Sequence, residues 1–214
     1  DGALAAMSGL TSQPNLNSLV AMMQGHAKAS DLDLDLLNEY SNYWEAVRTM
    51  YTPFESELKA GTAEVYNNEI PGGQYTNLRG QAIALGVGDK FELLKDNYSE
   101  ANKLFGDIVK VTPSSKVVGD MAIFMTANSL TAEDVYAKGA TLSFPESVKD
   151  FFKGGLGQPY QGFPKQLQEI VLKGEHAIEG RPNDHLAPID FDADFKSFTK
   201  KFPEAEDGFF DYLS

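Results

Sequence analysis

Thr112, Ser114, Ser115 and Lys116 set three hydroxyls and one ammonium within five residues, inside the stretch KVTPSSKVVGDMAIFM that runs from Lys110 to Met125. A hydroxyl both donates and accepts, so it can hold a polar ligand or relay a proton without itself carrying charge. The surrounding pattern reads as a short buried strand at Ile108, Val109 and Val111, followed by Pro113, which fixes its own φ and biases Thr112 toward extended backbone. A helix then starts, capped by Ser114 or Ser115, with Val117, Val118, Met121, Phe124 and Met125 recurring at three and four. A strand that runs straight into a helix start collects unpaired N–H groups beside these side chains, a suitable seat for a polar ligand. Capping alone also accounts for the serines.

A second candidate lies in EIPGGQYTNL, from Glu69 to Leu78. Pro71, Gly72 and Gly73 interrupt a helical pattern that resumes through Asn77, Leu78, Ala82, Ile83 and Leu85, and the interruption reads as a loop. Glycines there let backbone approach a neighbour closely, and Gln74 carries a donor and an acceptor in one amide. The three histidines, His26, His176 and His185, are dispersed and there is no cysteine. Spacing therefore assembles no metal cluster and no disulfide, and this chain is expected to hold no catalytic metal tightly.

The elements that must position these residues are mostly helices. Leu16, Leu19, Val20 and Met23 predict a helix that ends at Gly25, after a turn containing Ser8, Thr11 and Ser12, to which no catalytic role is assigned. From Leu36 through Tyr40, Trp44, Val47, Tyr51 and Phe54 one apolar face spans about five turns and is expected to pack into a core, with Pro53 ending the helix near Glu55 to Lys59. Phe91, Leu94, Tyr98, Ala101 and Phe105 predict a further helix ending at Gly106. Thr131 with Asp134, and Ser143 with Glu146, have the spacing of helix starts. The glycines and prolines from Gly154 to Pro164 mark a bend before Leu167, Ile170, Val171 and Leu172, and from Gly180 the chain reads as a polar, proline-containing tail. A net charge of −13 argues against a nucleic-acid footprint. No run is long and apolar enough for a bilayer, and DGALAAMSG is not of signal-peptide type, so a soluble, intracellular protein is expected.

Four segments in order, MSGLTSQPN from Met7, EIPGGQYTNL from Glu69, KVTPSSKVVGDMAIFM from Lys110, and SFPESV from Ser143 followed by GLGQPYQGFP from Gly155, resemble the carboxyltransferase region of the pyruvate carboxylase family. The resemblance implies a mostly α fold with a few short strands. Residues 1–30 would be the last strand, ALAAM, and last helix of a (β/α)₈ TIM barrel; residues 31–178 a helical carboxylase domain completing the active site; residues 179–214 an exit toward the next domain. It implies transfer of a carboxyl group from carboxybiotin to pyruvate, giving oxaloacetate. Thr112 would be the catalytic proton relay, and Gln74, Ser115 and Lys116 would bind biotin. Biotin would arrive on another domain and ATP would be used at another. A divalent metal such as Mn or Zn would be held by an upstream barrel. Partners implied are pyruvate, carboxybiotin, the rest of the barrel, and the biotin carrier and biotin carboxylase domains, in a homotetramer located in a bacterial cytoplasm or a mitochondrial matrix. Related decarboxylases and transcarboxylases tend to carry Met where this chain has Gln74, which favours pyruvate carboxylase over them. Another biotin-dependent carboxyltransferase, an oxaloacetate decarboxylase α-type subunit, or a non-catalytic helical scaffold are the competing readings.

Overall fold

The computed structural model describes residues 1–55 and 58–202. Among them the chain forms α-helices α1 (Leu16–Met23), α2 (Leu34–Arg48), α3 (Val65–Asn68), α4 (Gly72–Ala84), α5 (Phe91–Leu104), α6 (Ser114–Ala127), α7 (Ala132–Lys138), α8 (Glu146–Lys153), α9 (Lys165–Leu172) and α10 (Phe191–Lys201). None of the described helices is long and apolar enough to cross a membrane. The mostly helical expectation holds. The short strands do not: among the described residues the only β pairing is an isolated parallel bridge between Ala3 and Asn15.

Two strand readings are therefore corrected. ALAAM forms a 3-10 turn over Ala5–Met7, and no second strand pairs with it among the described residues beyond that bridge. Residues 108–111 leave their backbone groups to a side chain instead of a ladder. Ser114 Oγ lies 2.6 Å from the carbonyls of both Val109 and Val111 and accepts from the Val111 N–H at 3.2 Å. Val109 and Val111 are exposed, at 79% and 63%. Neither serine caps α6 in the expected way: Pro113 occupies the N-cap position, and no side chain caps there.

The core is built around α6, whose Val117, Val118, Met121, Ala122 and Met125 are all buried, and which packs chiefly on α5 and also on α4 and α8. α5 presents Phe91, Leu94, Tyr98 and Ala101 to it. That helix stops where the sequence places its glycine. Gly106 adopts φ +90°, its N–H reaches the Lys103 carbonyl at 3.0 Å, and the Asp107 N–H reaches Asn102 at 2.9 Å. This doubly bonded helix end directs the chain into residues 107–113. Beside it Phe105 stacks on Phe151 at 5.3 Å between centroids and meets Phe152 edge-on at 5.1 Å, with Phe163 against both of the latter. Thr131 and Asp134 form a reciprocal capping box at α7, whereas Ser143 does not cap α8, which begins after Pro145. The polar tail contains a helix that the sequence reading passed over, α10, with Phe198 buried; the acidic end beyond Phe202 lies outside the described residues.

The first part of the chain is stitched together by polar contacts. Ser41 Oγ accepts from the Ala6 N–H at 3.0 Å, Asn17 Nδ2 donates to Asn38 at 2.8 Å, and Arg48 reaches the Ala6 carbonyl at 2.5 Å. α2 packs on this opening segment and on α1, and none of its residues is buried. Leu36, Tyr40, Trp44, Tyr51 and Phe54 stay exposed, contrary to the core packing expected of the stripe. α2 becomes a 3-10 turn at Thr49–Phe54, which contains Pro53.

Gly72 and Gly73 are the first turn of α4, not a loop. Gly72 nonetheless makes the close approach its type allows: a Cβ there would lie 1.9 Å from the Thr11 carbonyl oxygen. Beside it Thr11 Oγ1 and Thr76 Oγ1 hydrogen-bond at 2.8 Å. Gly72→Ala should force α4 away from residues 9–14 and cost about 1–3 kcal/mol, as overpacking does. A lowered denaturation midpoint measures it; an unchanged one would mean that the contact opens freely.

Candidate active site

Gln74, on α4, is only 8% exposed, and its Nε2 has no hydrogen-bond partner among the described residues. An unsatisfied amide in that position costs free energy unless a ligand or water supplies the acceptor. Its neighbour across the helix interface is Gly119 on α6: a Cβ at Gly119 would lie 2.4 Å from Gln74 Nε2. Glycine is required there for the amide to fit. Ser115 lies one turn before Gly119, ~6 Å along the helix, and is 6% exposed. Its carbonyl accepts from Tyr98 Oη at 3.3 Å. Burial pushes the Tyr98 phenol well above its ordinary value, so it remains a neutral donor. Gly119 thus lets the Gln74 amide sit against α6, one turn from Ser115, whose carbonyl the buried Tyr98 holds.

Lys116 points elsewhere. It is exposed and pairs with Asp120 Oδ2 at 2.6 Å, an i,i+4 partner whose same oxygen accepts from Ser147 Oγ at 2.5 Å. A lysine in the first turn of a helix opposes the helix dipole, and Asp120 offsets that locally. Thr112, next to the start of α6, is exposed, and its hydroxyl makes no hydrogen bond among the described residues. It lines a groove of ≈ 480 Å³ walled by Val109, Val111, Phe151, Pro159 and Tyr160.

Gly72 lines a different space, of ≈ 730 Å³, between residues 9–14 and residues 58–75. Thr112 lines the groove, and Ser115 lies one turn from Gly119, which faces Gln74. Sequence reasoning missed the larger cavity, because its walls come from a turn and a segment some fifty residues apart without shared periodicity. It missed the Asp120 partner of Lys116 too, although the i,i+4 spacing was legible. No described group of His, Asp or Glu side chains is arranged to hold a metal ion.

The family model described as "Conserved carboxylase domain" matches residues 65–214. This chain belongs to that conserved carboxylase family. It is 52% identical over 192 residues to pyruvate carboxylase of Staphylococcus aureus, an alignment covering 90% of this chain and 17% of that protein. Its structure superposes on the carboxyl transferase domain of Rhizobium etli pyruvate carboxylase with a TM-score of 0.93 at 47% identity, covering 100% of this chain and 36% of that one. The same domain solved with pyruvate and biocytin matches with a TM-score of 0.92. The chain therefore spans less than a fifth of the length of the curated pyruvate carboxylase that it matches. The resemblance carried in the sequence by four segments extends over the whole fold.

Proposed function

We propose that this chain supplies the biotin-facing part of the carboxyltransferase site of a pyruvate carboxylase, in which a carboxyl group passes from biotin to pyruvate to give oxaloacetate. The observation that supports it most is the buried Gln74 amide, whose Nε2 has no partner among the described residues, held beside Gly119, which lies one turn from Ser115. That is a donor set suited to the neutral ureido edge of biotin. When bound, biotin would supply the carboxyl group. Gln74 and Ser115 would hold the ureido group, and Lys116 would join them on leaving Asp120. The Thr112 hydroxyl, which has no hydrogen-bond partner among the described residues, would accept a proton from the pyruvate methyl group while donating its own toward the ureido nitrogen. The described residues offer no ligand set for a divalent metal such as Mn or Zn. Such an ion would have to be bound outside them, and no step here runs through it.

In this assignment residues 1–30 are the last barrel unit, 31–178 the helical domain and 179–214 the exit segment. ATP-dependent loading of biotin, the carrier domain and a homotetrameric assembly belong to the larger enzyme. The complete enzyme should form oxaloacetate from pyruvate, bicarbonate and ATP in an avidin-sensitive reaction. Oxaloacetate decarboxylation without ATP-dependent carboxylation would favour the decarboxylase relative instead.

Gly119→Ala isolates the contribution of Gln74. The added methyl meets the flexible end of a side chain, so the amide moves aside while α6 gains helix propensity. Oxaloacetate formation should fall by about 10-fold or more, in line with displacement of a positioned binding group, with the thermal midpoint kept or raised. Full activity in this variant would remove Gln74 from the site.

A further inference from the structure

The two segments singled out in the sequence begin at Glu69 and Lys110, and in the folded chain these first residues meet. Lys110 Nζ lies 2.7 Å from Glu69 Oε2, across 41 residues of chain. Glu69 closes α3 in the left-handed conformation, at φ 56°, and is followed by Ile70, buried at 2% exposure, and by Pro71. Its carboxylate is thereby fixed five residues before Gln74. Lys110 stands two residues before Thr112, with only 12% of its side chain exposed. The ammonium also reaches Asn102 on α5, which is 4% exposed. In the amide orientation that satisfies its surroundings, Asn102 accepts from Lys110 Nζ at 3.0 Å and donates to the Ile108 carbonyl at 3.3 Å. Among the described residues no other hydrogen bond joins residues 108–111 to residues 65–84.

We infer that Glu69 and Lys110 are a positioning pair that sets the separation between Gln74 and Thr112, holding the relay hydroxyl in register with the ureido-binding amide; the inference rests on the carboxyltransfer function proposed above. Residues 108–111 have no strand partner among the described residues; Ser114 ties Val109 and Val111 to α6 and Ile108 packs against the core, while the Lys110 pair is the hydrogen bond that ties them to the Glu69 segment. An ion pair with one exposed partner contributes little to folding. Geometry is where it acts: a misplacement of about 1 Å at a reacting group can cost on the order of 10²-fold in rate.

The test is a charge swap in the complete enzyme. Glu69→Lys and Lys110→Glu are made singly and together, and Asn102 can present its amide N–H₂ to a carboxylate at 110 by turning over. Each single variant should lower kcat for oxaloacetate formation by about 10-fold or more. KM for pyruvate, ATP-dependent biotin carboxylation and the melting temperature should stay near wild type. The double variant should recover most of the rate. Wild-type kcat in both single variants overturns the positioning pair, as do losses that follow the melting temperature or that the swap fails to restore. Thr112→Ala is assayed alongside. If it retains full activity, Thr112 is not the relay and the inference falls with that role; if it is inactive while Glu69→Lys is fully active, only the pair is wrong.

Discussion

Thr112→Ala in the complete enzyme should lower oxaloacetate formation by on the order of 10²- to 10⁴-fold, the usual cost of losing a positioned proton carrier. ATP-dependent carboxylation of biotin should continue near its normal rate. Stability should barely change, because the hydroxyl is exposed, makes no hydrogen bond among the described residues, and caps nothing. A capping hydroxyl would cost about 1 kcal/mol on removal; Ser114, whose Oγ serves Val109 and Val111, is the residue for which that loss is expected. Thr112→Ser keeps donor and acceptor and should retain part of the rate. An Ala variant that makes oxaloacetate at the wild-type rate would reduce Thr112 to a wall of its groove.

How far the sequence could be read depended on whether a residue's partner was local. The end of α5 at Gly106 and the capping box of Thr131 and Asp134 were legible, because a positive φ or a three-residue spacing is decided within one turn of chain. Gln74 and Ser115 were legible as types, and only the resemblance set them at one ligand; the seat of the Gln74 amide against α6 depends on Gly119, whose lack of a side chain carries no periodic signal. The apolar run before Thr112 looked like a strand because Ile108, Val109 and Val111 have strand propensity. Propensity yields when no second strand is there to accept the hydrogen bonds and a serine hydroxyl takes them instead. The stripe on α2 failed in the same way: period shows that a face is apolar, not what covers it. The Glu69–Lys110 pair lay beyond reach, since a contact across 41 residues needs the fold first.

The largest stability effect should come from Phe105→Ala. Phe105 is fully buried, stacks on Phe151 at 5.3 Å and meets Phe152 at 5.1 Å, so truncation leaves a cavity walled by rings that are themselves buried. Loss of a buried phenylalanine costs about 3–5 kcal/mol where the surroundings cannot collapse. Collapse is restricted here because Phe151 and Phe152 are also held by Phe163, and Pro164 already stands 3.4 Å from where a Cβ on Gly106 would be. Phe105→Leu keeps most of the volume and should cost clearly less. Tyr160→Ala is the matched control. That ring walls the Thr112 groove together with Phe151 but is fully exposed at 103%, so its removal deletes aromatic surface without opening a core. Denaturant midpoints should order as wild type and Tyr160→Ala together, then Phe105→Leu, then Phe105→Ala. A Phe105→Ala variant within about 1 kcal/mol of wild type would mean that the four-ring cluster repacks around the loss, and that the walls of the Thr112 groove are held by α6 and α8 without it.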